Sequence, residues 1–193
     1  MSGVQPDVEV GPGSLLVASP GLADPNFRRT VVYIIEHRDE GTLGVVLNRP
    51  GETAVEDVLP EWGPYASSPQ AVFVGGPVEQ KVALCLAALR TGVDTTDLAG
   101  VVGVRNPIAI IALDTDPELL APRLRGLRVF VGYSGWDRRQ LAGEIERGDW
   151  FVVPGLPDDV VCPPGTDLWG LVLRRQPLPL ALLATHPLDL RRN

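Results

Sequence analysis

Gly132-Tyr133-Ser134-Gly135-Trp136 is the stretch whose residue types come nearest to chemistry. It follows an apolar run, Arg128 to Gly132, that reads as a strand, and precedes a segment, Asp137 to Arg147, that reads as a helix. A glycine-rich turn placed there lets main-chain N–H groups face outward at the positive end of the helix dipole. That is a general anion site, for a phosphate or a carboxylate. Asp137 caps the helix, Gln140 follows three residues later and Gly148 closes it. The dinucleotide fingerprint GxGxxG is not present. The pattern approaches the nucleophile elbow GxSxG, but Trp136 stands where the last glycine belongs. A serine nucleophile also requires a base, and the chain has 2 histidines, His37 and His186, the second in a proline-rich tail. A tight turn with Trp136 in the core accounts for the same residues without any reaction.

The other polar corners have local explanations. Asp24-Pro25-Asn26 is a turn signal, with Asp opening it and Pro in the favoured second place. Asn48-Arg49-Pro50 reads as a strand exit and Gly75-Gly76-Pro77 as a sharp turn or a close backbone approach. Asp114-Thr115-Asp116-Pro117 starts a helix, with Thr115 or Asp116 as cap. His37 ends a strand without a second histidine or a metal-spaced cysteine near it in sequence. The 2 cysteines, Cys85 and Cys162, form no CxxC. Cys85, among Ala83, Leu84 and Leu86, reads as a buried small hydrophobe, whereas Cys162, before Pro163-Pro164, reads as reachable. The 4 tryptophans are not interleaved with a basic stripe, so no base-stacking platform is present.

The elements that must position these corners are strands for the most part. Ser14–Ser19, Thr30–His37, Thr42–Asn48, Ala71–Val74, Val101–Val104, Ile108–Leu113 and Trp150–Val153 read as strands, with 30–48 forming an antiparallel hairpin. Val82–Leu89 fits a buried strand or a buried helix. Helices are expected over 53–62 (Thr53 capping), from Pro117 to about Leu124, and over 167–175. Strands and helices mix without strict alternation, which favours one α+β unit with a mixed sheet over a doubly wound parallel sheet. No linker divides the chain, so a single domain over 1–193 is expected, with loose ends at 1–12 and 176–193.

Composition limits the function classes. At 193 residues, 45% apolar and 21% charged, the chain has the make-up of a folded soluble domain. Acids outnumber bases 24 to 17, and the net charge of −7 argues against direct nucleic-acid binding. Sixteen of the 17 bases are arginines, several in doublets, which leaves a local basic patch open. The N-terminus carries no secretory pattern and no apolar run reaches the length of a membrane helix, so a cytoplasmic protein without membrane contact is expected.

The ordered set Gly13–Pro20, Leu22–His37, Gly44–Pro50, Val72–Val78, Gly132–Trp136, Gln140-Leu141, Glu144-Ile145 and Trp150 resembles the YqgE/AlgH family of bacterial proteins. The resemblance spans roughly 13–153 and is weaker over 91–127 and beyond 154. It implies an α+β fold with α/β-type layering: a mixed, mostly antiparallel sheet curled into a pseudo-barrel, with helices packed outside. It carries no cofactor and no catalytic set, and admits Ala as well as Ser at the position of Ser134. Some members have been proposed as transcriptional regulators.

A binding or regulatory protein is the favoured reading. Asp24, Asn26, Arg29, Asn48, Gly75, Gly76, Tyr133, Ser134 and Gly135 are its candidate ligand-binding residues, and a small anion or a protein partner its ligand. One alternative is a hydrolase or phosphate-handling enzyme using the strand–turn–helix at 128–147, with Ser134 or Asp24. Another is a transcription-associated regulator acting through an arginine patch.

Overall fold

Residues 8–105 and 107–187 are described by the computed structural model. Its β-branched runs become strands: β1 (Ser14–Ala18), β2 (Val31–Arg38), β3 (Gly41–Val46), β4 (Pro50–Ala54), β5 (Ala71–Val74), β6 (Val78–Leu89), β7 (Val101–Arg105), β8 (Ile108–Ile111), β9 (Leu124–Trp136) and β10 (Trp150–Pro154). Their order is β10-β1-β2-β3-β9-β6-β8-β7, with β4 and β5 attached beside β9. Neighbours run antiparallel except β5 and β9, which pair in parallel at Phe73↔Phe130 and Val74↔Val131. The sheet curls but does not close, and the expected α+β class is borne out.

Alternation along the strands supplies two faces. Leu15, Val17, Tyr33, Val45, Leu47 and Phe130 pack toward α4 (Pro157–Val160), α5 (Leu168–Arg174) and α6 (Leu180–Leu183). Leu16, Val32, Ile34 and Val46 face the other way, against Leu141 of α3 (Arg138–Glu146) and the rings of Trp136 and Trp150. Glu144 ties these rings together, its Oε2 accepting from Trp136 Nε1 at 2.9 Å and Trp150 Nε1 at 2.8 Å. A third cluster, with Trp62, Cys85, Leu120 and Val129, lies under α1 (Val55–Val58) and α2 (Pro117–Leu120).

The capping signals hold where the helices stand. Asp137 accepts from Gln140 N at 2.8 Å and Asp116 rather than Thr115 accepts from Glu118 N at 2.9 Å; Asp167, expected inside its helix, stands as its cap and accepts from Gly170 N at 3.1 Å. Three expectations are corrected and one open alternative is settled. The helix expected over 53–62 is a single turn, Val55–Val58, because Thr53 belongs to β4 and Pro60 stops continuation. Pro50, read as part of a strand exit, opens a strand of its own with Gly51, as proline is tolerated at the first residue of a strand. The ambiguous 82–89 is strand. The 133–136 turn is strand too: β9 runs on to Trp136 and pairs with β3 at Gly44↔Ser134 and Leu43↔Gly135. Of the expected loose ends, 1–7 and 188–193 lie outside the described residues.

Cys85 is fully buried. Burial pushes its thiol up from 9.0 to about 12. The native state therefore keeps a proton that the unfolded chain loses from about pH 9. The stabilising contribution is complete below that pH and is lost as pH rises toward 12. Urea unfolding from pH 7 to 11 should show stability falling above pH 9, and Cys85→Ala should make this slope shallower, the remainder coming from Tyr33 and Cys162, whose pKa values burial also raises. An unchanged slope would remove Cys85 as its source.

Candidate functional site

Asn48 joins two corners that the sequence separates. It follows β3, and its Oδ1 accepts from Val31 N at 3.0 Å while its Nδ2 donates to Arg29 O at 2.9 Å. Arg49 extends the clamp, Nη2 donating to Arg28 O at 2.7 Å. The 24–30 loop is shaped from within: Asp24 Oδ1 accepts from Asn26 N at 2.8 Å, and Asp24 O accepts from Phe27 N and Arg28 N at 3.0 and 2.7 Å. Phe27 anchors it below, its ring 5.7 Å from that of Trp136 and 5.4 Å from that of Trp150. Arg29 takes a left-handed backbone, φ 54. Its guanidinium stacks on Trp169 at 3.9 Å and Nη1 donates to His186 O at 2.9 Å.

Three hollows meet around Asn48–Pro50. The largest, about 430 Å³, is lined by Arg28, Arg29, Asn48, Arg49, Thr166, Asp167, Leu168 and Trp169. A second, about 260 Å³, lies beyond Arg49 and takes in Asn26, Pro50, Gly76, Pro77 and Gln80. A third, about 130 Å³, adjoins Asn48 on the side of Phe73 and Arg128. The first is lined by three arginines and one aspartate, a local basic cleft on an acidic chain.

Of the residues read from sequence, Asn26, Arg29, Asn48 and Gly76 line these hollows. Asp24 is exposed and shapes its own loop. Gly75 lies behind, its N donating to Val131 O at 2.9 Å and its O accepting from Val46 N at 2.8 Å. Tyr133, Ser134 and Gly135 belong to β9, away from the cleft lining. Ser134 is fully buried and donates through Oγ to Gly75 O at 3.0 Å. His37 Nδ1 is engaged with Thr42 Oγ1 at 2.7 Å. Cys162, expected to be reachable, is buried, because its loop folds over Arg128 and its carbonyl accepts from that side chain. Arg28 and Arg49 stand beside residues singled out in the sequence and were legible only as members of those corners. Thr166, Asp167 and Trp169 gave no local signal, since they reach the cleft from more than a hundred residues away.

A curled, mostly antiparallel sheet with helices packed on it and a basic cleft at one set of its corners defines an α+β domain. The AlgH-like family profile matches residues 15–181, beyond the point at which the sequence resemblance faded, and the chain belongs to this family. The UPF0301 protein of Rhodococcus jostii is 58% identical over 184 residues, covering 95% of this chain and 92% of that protein. The UPF0301 protein of Mycobacterium tuberculosis is 57% identical over 181 residues, covering 94% and 90%. A crystal structure of a Corynebacterium diphtheriae protein superposes with TM-score 0.89 at 42% identity, covering 92% of this chain and 93% of that one. The solution structure of AlgH from Pseudomonas aeruginosa gives TM-score 0.64 at 25% identity, covering 93% and 98%. These names state no reaction and no ligand. No helix among the described residues is long and apolar enough to cross a membrane.

Proposed function

We propose that the protein is a cytoplasmic binding or regulatory component that recognises an anionic group, on a small molecule or on a protein partner, in the cleft of Arg28, Arg29 and Arg49. The observation that carries this reading is the convergence of these side chains on one cleft, held there by Asn48 and by stacking on Trp169. Main-chain carbonyls, not carboxylates, receive the described bonds of Arg29 and Arg49. Their charge is therefore available to a ligand, and forked guanidinium donors suit carboxylate and phosphate oxygens. The hydrolase alternative has no support from Ser134, whose hydroxyl is buried and donates to a carbonyl. A transcription-associated role would run through a protein partner, since the net charge is −7.

Isothermal titration with inorganic pyrophosphate and with a hexaglutamate peptide tests this. At least one should bind saturably, more weakly as salt rises. The double variant Arg28→Ala/Arg49→Ala should lose roughly tenfold in affinity while remaining folded. Unchanged affinity in that variant would remove the cleft as the site.

A further inference from the structure

Arg128 lies in β9 with 2% of its surface exposed. Its guanidinium sits 4.2 Å over the Phe73 ring. Nη1 donates to Val160 O at 3.2 Å, and Nη2 donates to Ser68 O at 2.8 Å and to Cys162 O at 3.1 Å. Nε has no acceptor among the described residues. No described carboxylate forms an ion pair with this guanidinium. The buried carboxylate of Asp159 is taken at both oxygens by Arg175, at 2.6 Å each. Burial pulls the Arg128 pKa down to about 10, which still leaves the group charged at neutral pH. Neutral carbonyls solvate this charge without cancelling it, and a buried charge with no counter-ion is costly.

Against this guanidinium lies the 130 Å³ hollow beside Asn48. Its walls are largely apolar: Leu47, Phe73, Pro164 and Leu168, with Thr166 among the remaining lining residues. One buried cation beside a half-open, largely apolar hollow matches a monoanion with an apolar body. A phosphate would demand more donors than the hollow offers. We propose that this hollow is a binding site for a small organic carboxylate. The carboxylate pairs with the Arg128 guanidinium, and the hydrocarbon part lies against Phe73, Leu47 and Leu168. The cation is not one of the three that rim the larger cleft, so the site stands whether or not that cleft binds anions.

The test titrates the full chain with butyrate and benzoate up to roughly 50 mM, ample for ligands of so few atoms. Inorganic phosphate serves as comparison. The readouts are the Arg128 Nε–H signal in the 15N NMR spectrum and the thermal midpoint. A saturable movement of that signal, with a rise in midpoint, is expected from the carboxylates and not from phosphate. Arg128→Met should weaken carboxylate binding at least about tenfold. Should that variant fail to fold, Thr166→Trp fills the hollow while leaving the guanidinium in place, and should weaken binding similarly. Arg28→Ala/Arg49→Ala should leave the carboxylate affinity within about twofold, since screening reduces the influence of charges outside the hollow. An unmoved Arg128 signal, an equal response to phosphate, or wild-type affinity in Thr166→Trp would each overturn the site.

Discussion

Gly76→Ala is expected to prevent folding, or to cost at least about 4 kcal/mol where the chain still folds. A Cβ at this position would stand 2.2 Å from Tyr133 O, 2.3 Å from Tyr133 C and 2.5 Å from Ser134 N. All three are main-chain atoms of β9, whose two flanks are fixed by pairing with β3 and β6. No side-chain rotation relieves the overlap, so either the 75–77 corner or the central strand must move. The same corner lines the second hollow, and its Gly75 carbonyl receives both Val46 N and Ser134 Oγ. The variant should therefore lose structure at the site along with stability. Gly92→Ala is the control: nothing lies within 4 Å of its Cβ, and with φ +79 it should cost only about 1 kcal/mol. Urea unfolding of both variants checks the contrast. Equal costs would mean that the close approach of 76 to β9 is not what requires glycine there.

Asp159→Ala should lower stability by about 3–5 kcal/mol, and the thermal midpoint by roughly 10 °C for a chain of this length. Asp159 is 2% exposed, and its carboxylate accepts from Arg175 Nη1 and Nη2 at 2.6 Å each and from Leu156 N at 2.7 Å. Arg175 also donates to Pro154 O at 3.1 Å, so one carboxylate joins the end of β10, α4 and the end of α5. Between α4 and α5 runs the 161–167 segment, which walls the carboxylate hollow and the basic cleft. Removing Asp159 leaves the Leu156 amide without its acceptor and a half-buried guanidinium without its counter-ion. Differential scanning calorimetry reads the loss. A drop of only a degree or two would show that the pair contributes no more than an exposed ion pair does.

The strands were legible because β-branched runs such as Val31–Ile35 have few other uses, and the caps because Asp116 and Asp137 each stand directly before a helix. The 133–136 segment misled for a definite reason. Glycine beside a helix start has the composition of a turn, yet Gly135 stands in a strand, paired opposite Leu43. Cys162 misled in the same way: a Pro-Pro sequence suggests an exposed loop, but the loop is drawn inward by Arg128, more than thirty residues away. The cleft itself was half legible. Its polar corners 24–29, 48–50 and 75–77 could be recognised as unusual, but nothing local says that Asn48 binds the main chain at 29 and 31, or that α5 supplies Trp169 beneath Arg29. Long-range packing of this kind leaves no periodicity to read.

The central claim is that these corners form one recognition surface with no reactive group behind it. A 15N NMR titration of the full chain with hexaglutamate measures it most directly. Saturable shifts confined to residues 26–29, 48–49 and 166–169, unchanged in Ser134→Ala, are predicted. Shifts elsewhere on the sheet, or cleavage of an ester or phosphoester probe that disappears in Ser134→Ala, would contradict it.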